Sequence, residues 1–140
     1  MTQTNYVRYE GMTPVGEDLV EVILDPGATA TGPGDLYHVV VKANGAIVTE
    51  RGIACEPPIG PYERWPAEVA VASDVDSDGR RWFVEVRLAF SSFGRDAMDG
   101  RWWGINFARL HDGLGEYSNW SGARWNVYSP ATLGNLHLPK

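Results

Sequence analysis

Hydrophobic and polar residues alternate along most of this chain, and sustained 3.6-residue patterning is scarce. Successive side chains of a strand point to opposite faces, so a period of two marks half-buried strands. The alternation predicts strands near residues 19–24, 36–43, 46–51, 67–73, 81–90, 103–110 and 133–138. Asn44-Gly45 separates two of these runs, and both residues tolerate the positive φ of a type I′ turn, so a direct hairpin is expected there. The Pro- and Gly-rich stretches 26–34 and 56–61 forbid continued pairing and are expected to be loops that could rim a site. One short helical turn is expected within 91–98, limited by Gly94 and Gly100. Short strands with this punctuation predict an all-β fold, an antiparallel β-sandwich of the two-sheet kind found in jelly rolls and immunoglobulin-like domains.

Length changes the picture little: 140 residues suffice for one domain with a two-layer core, so 1–140 is read as a single unit. Charge excludes more. The net charge is −6, acidic residues are scattered, and no Lys/Arg run occurs, which argues against nucleic acid or an anionic membrane surface as partner. Cys55 is the only cysteine, so neither an intrachain disulfide nor a cysteine-based zinc site can form. The first ten residues lack the basic and apolar regions of a secretion signal, and no apolar run approaches membrane-spanning length.

Candidate chemistry gathers in the last third, WWGINFARLHDGLGEYSNWSGARWNVYSPATLGNLHL, where Trp102, Trp103, Trp120 and Trp125 stand among Gly, Ser and Asn. A pyranose has apolar C–H faces and a hydroxyl rim, so it stacks on flat aromatics while amides, carboxylates and guanidinium groups read its edge. The competing reading is that these Trp residues fill a β-core. Glu21, within LVEVIL, shares a strand face with Leu19 and Ile23. A carboxylate there is costly unless paired, so it is either a sugar-hydroxyl acceptor or a buried structural carboxylate. His38 shares the face of Leu36 and Val40, and the two side chains could point the same way. Asn106 and Arg109 lie on opposite faces of one strand, and Arg109 is preferred as Glu21's neighbour because a guanidinium fork can bridge vicinal hydroxyls or neutralise the carboxylate.

Asp74, Asp76 and Asp78, with Gly79 and Glu85, match the D-x-D-x-D-G-x5-E pattern of a calcium loop. The flanking segments are strand-like, which excludes an EF-hand and leaves an ordinary hairpin turn as the alternative. Glu21 and Glu85 could in principle form a glycosidase pair. No nucleophile elbow, HExxH motif or phosphate-binding loop is present, and the three histidines make no metal spacing, so enzymatic activity is not expected.

EDLVEVILDPG, LYHVVVKANG, RWFVEVRLAF, WGINFAR and LGNLHL, in this order, resemble the family 9 carbohydrate-binding modules and related DOMON-type sandwiches. The resemblance implies a non-catalytic module that binds a mono- or oligosaccharide, needs no cofactor beyond a possible structural calcium, and belongs to a larger secreted carbohydrate-active protein, extracellular or periplasmic. It implies ligand contacts at Glu21 and His38 and a stacking aromatic at Trp125 or Tyr128. The family's second stacking Trp aligns with Val15, and Trp65 is the candidate replacement wall. A structural or protein-interaction sandwich without sugar binding is the alternative. The family's leading strands are missing before Glu17, so an unpaired edge beside residues 19–24 is expected to drive homodimer formation.

Overall fold

A computed structural model describes residues 18–43, 45–52, 63–75, 81–94, 101–124 and 127–139. It is all-β and antiparallel, with two sheets packed face to face. The strands are β1 (Leu19–Asp25), β2 (Tyr37–Lys42), β3 (Ile47–Arg51), β4 (Glu63–Arg64), β5 (Val69–Val75), β6 (Trp82–Leu88), β7 (Trp102–His111), β8 (Glu116–Asn119) and β9 (Gly134–His137). The large sheet runs β4-β3-β2-β1-β7-β8, and the small one is the β5–β6 pair. The ten-residue β7 serves two partners on its outer side, β9 along Trp102–Ile105 and β8 along Ala108–His111.

All seven strands expected from the alternation form. β4 and β8 were not expected, and both lack an apolar alternation to announce them. The β2–β3 hairpin closes between Lys42 and Ala46 through a three-residue loop with Gly45 at φ 85°, the left-handed position of that loop class, in place of the two-residue turn. Of the segment 91–98, where a helical turn was expected, residues 95–98 lie outside the described residues; its start falls in a 3₁₀ turn, Phe90–Ser92.

The sheet's two faces differ. One carries Val22, Leu24, Val39, Val41, Trp103 and Ile105, which pack with Trp65 and Phe93 against the inward side chains of β5 and β6. This is the sandwich core. The other carries Leu19, Glu21, Ile23 and Asp25 of β1 beside Lys42, Val40 and His38 of β2 and Leu110, Ala108, Asn106 and Gly104 of β7. Two small apolar clusters on that side, around Ile23 with Leu36 and Val127 and around Leu19 with Val40, flank a polar centre.

One structural expectation is overturned. β1 is not an edge, because over Leu19–Leu24 it pairs with β2 on one side and with β7 on the other. The unpaired backbone that was to drive dimer formation beside residues 19–24 therefore does not exist.

Candidate functional site

Glu21 and His38 are buried together, and their surroundings are internal. Glu21 Oε2 accepts hydrogen bonds from the hydroxyls of Tyr117 (3.1 Å) and Tyr128 (2.9 Å) and lies 3.6 Å from His38 Nε2. His38 Nδ1 is 2.9 Å from Glu50 Oε1, and the imidazole meets the Tyr128 ring edge-on at 5.8 Å. The chain thus resolves the cost of a carboxylate on an apolar face by surrounding it with donors. For a ligand to reach Glu21, both tyrosines would have to leave it.

Three expected positions need correction. Arg109 does not join Glu21: the register sets Glu21 opposite Ala108 and Val20 opposite Arg109, so Asn106 has the Glu21 face and Arg109 the opposite, exposed one. Trp65 is no binding wall. It is buried in the sandwich core, with Tyr37 and Phe93 within 5 Å of its ring centre and its Nε1 donating to Ser92 O at 2.6 Å. Tyr128 is folded onto the Glu21 face by its hydroxyl and does not stand out as a platform. Val15, Trp125, Asp76 and Asp78 lie outside the described residues. Asp74 and Glu85 sit exposed on the outer face of the β5–β6 pair, Glu85 opposite Ala72 and Asp74 opposite Phe83. Among the described residues no cluster of three His, Cys, Asp or Glu could hold a metal ion.

Trp120 and Arg109 share the core-side face of the large sheet, Trp120 beside Phe107 and Arg109 two residues further along β7. Trp120 is 61% exposed and meets Phe107, itself 43% exposed, at 6.1 Å with the rings at 74°. Its backbone N–H donates to Phe107 O at 2.8 Å, which extends the β8 pairing by one residue. Arg109 is the next residue of β7 on that face, and Ser118 faces it from β8. The outer edge of the indole lies where a side chain on Gly134 would be, so this glycine seats the ring.

The loop that carries Trp120 is braced on both sides. Asn106 Oδ1 accepts the Ser121 N–H at 3.0 Å, and Asn119 exchanges two hydrogen bonds with the Ala123 backbone, Nδ2 to O at 2.8 Å and N–H to Oδ1 at 2.9 Å. Gly122 supplies the left-handed turn residue, φ 73°. The indole is thus held out to solvent on a fixed backbone. Phe107 and Gly134 were missed by sequence reasoning. Phe107 alternates with core residues of β7 and looks like one of them, and the role of Gly134 depends on a contact across strands.

Comparison with known proteins returned no matching family model, curated protein or solved structure.

Proposed function

We propose that this chain is a non-catalytic carbohydrate-binding module, with the Trp120–Phe107 pair as its stacking surface and Arg109 and Ser118 as polar readers of the sugar rim. The observation that carries the reading is an exposed indole on a hydrogen-bonded loop, seated by a glycine, with a guanidinium-bearing and a hydroxyl-bearing residue on the same sheet face. Such an arrangement offers an apolar face and a hydrogen-bonding edge to the same ring. Prior bracing of the loop lowers the ordering cost that weakens most binding sites. The resemblance to family 9 modules supports the ligand class. Within that reading the Glu21 and His38 pair holds the loops that frame the sheet and does not contact sugar.

The test is a glycan array on the intact chain, followed by calorimetry with the best glycan. Trp120→Ala is expected to lose about 1–3 kcal/mol of binding, and Arg109→Ala about 1 kcal/mol. Glycan affinity unchanged in Trp120→Ala would dismiss this surface as the site.

A further inference from the structure

Asp25 ends β1 on the face of Glu21 and is only 6% exposed. Its Oδ1 accepts the N–H groups of Thr29 and Ala30, both at 3.0 Å, which folds the turn after β1 back over the strand end. Its Oδ2 accepts no hydrogen bond from the described residues, yet the carboxylate lines a groove of about 410 Å³. A carboxylate oxygen without a protein donor at the wall of a groove can accept a hydrogen bond from a ligand hydroxyl that takes the place of water.

The rest of the groove suits a neutral hydroxylated ring. Ser129 and Asn135 line it, and no hydrogen bond to another described residue occupies either side chain. Gly104 forms the floor, opposite both Asp25 and Asn135. A Cβ there would fall 2.9 Å from Leu133 Cδ1 and 3.1 Å from Asp25 Cβ, so glycine keeps the groove open. One step along the same face of β7 stands Trp102, 57% exposed, its ring 4.5 Å from that of His137. Among the described residues no cation lines the groove, which disfavours an anionic ligand.

We propose that this groove is a second saccharide site, in which Asp25 Oδ2 accepts a sugar hydroxyl, Asn135 and Ser129 read its neighbours, and Trp102, backed by His137, stacks on the apolar face. The site rests on the ligand class proposed above and shares no residue with the Trp120 surface. It lies on the other face of the sheet, so one module could hold two glycan segments.

Calorimetry with neutral mono- and disaccharides on the intact chain tests it, using Trp102→Ala, Asn135→Ala and Asp25→Asn beside Trp120→Ala. Asn135 is exposed, so its truncation leaves the fold intact. Asp25→Asn keeps Oδ1 as the acceptor for Thr29 and Ala30 and turns the other position into a donor. Each groove variant is expected to weaken one binding phase about tenfold or more, with that phase kept in Trp120→Ala. Full binding in the groove variants together with loss in Trp120→Ala overturns the second site and leaves the Trp120 reading standing. Loss only in the groove variants does the reverse. No saccharide bound by the wild-type chain overturns both, and a calcium-dependent rise in melting temperature that Asp25→Asn abolishes, without sugar binding, assigns the carboxylate to a cation.

Discussion

Glu21 shows how one residue type can be required by either of two opposed roles. Its position among Leu19 and Ile23 demanded partners, and the chain supplies them from places far off in sequence, Tyr117 and Tyr128, with His38 close by. The two tyrosines should not matter equally. Tyr128 is half-buried, whereas Tyr117 is 45% exposed and water can take over its bond. Tyr128→Phe is therefore expected to cost about 1.5–3 kcal/mol of stability, and Tyr117→Phe less than about 1 kcal/mol. A double-mutant cycle between Glu21→Gln and Tyr128→Phe, read by urea denaturation, isolates the pair; a coupling below about 0.5 kcal/mol would mean that the bond is geometric only. The need of Glu21 for a partner was legible in LVEVIL. Which residues would meet it was not, because both tyrosines arrive through tertiary contacts.

At the scale of elements, strand existence was legible because seven of the strands alternate, and the two missed ones, Glu63–Arg64 and Glu116–Asn119, are short and polar. Register was not legible. Alternation alone placed Asn106 and Arg109 on opposite faces, but which of them joined Glu21 depended on how β7 slides against β1, and one residue of slip exchanges the faces. The β7–β9 pairing sets Gly134 opposite Ile105 and so beneath the Trp120 ring. Gly134→Ala keeps every aromatic residue and still has to push the indole aside. It is expected to weaken glycan binding about as much as Trp120→Ala while changing stability by less than about 1 kcal/mol, since Trp120 is 61% exposed and its ring can swing away from the new methyl group. Affinity equal to wild type, with an unshifted Trp120 indole N–H resonance, would show that the ring's seat is unimportant.

For the whole molecule the sandwich is lopsided, and its unfolding should show it. β1 is hydrogen-bonded on both sides and β7 has partners along both edges, whereas β5 and β6, among the described residues, pair only with each other. The small sheet is held to the large one by half-buried Val69, Val71, Val84, Val86 and Leu88, and its outer face exposes Phe83. Half-buried side chains contribute less than buried ones, so opening this hairpin exposes less apolar surface than global unfolding does. Native-state hydrogen exchange is accordingly expected to give β1 and β7 amides the free energy of global unfolding, with β5 and β6 amides lower by about 1–3 kcal/mol and less dependent on denaturant. Both proposed sugar surfaces belong to β1, β7, β8 and β9 and their connecting loops, and none of their residues lies on β5 or β6. Saturating glycan should therefore slow exchange in the large sheet and leave the hairpin's sub-global opening unchanged, because a ligand stabilises only against states that cannot bind it. Equal protection of β5 and β1 in the free chain would instead make the sandwich a single cooperative unit, in which a glycan bound on either face of the large sheet holds both sheets closed.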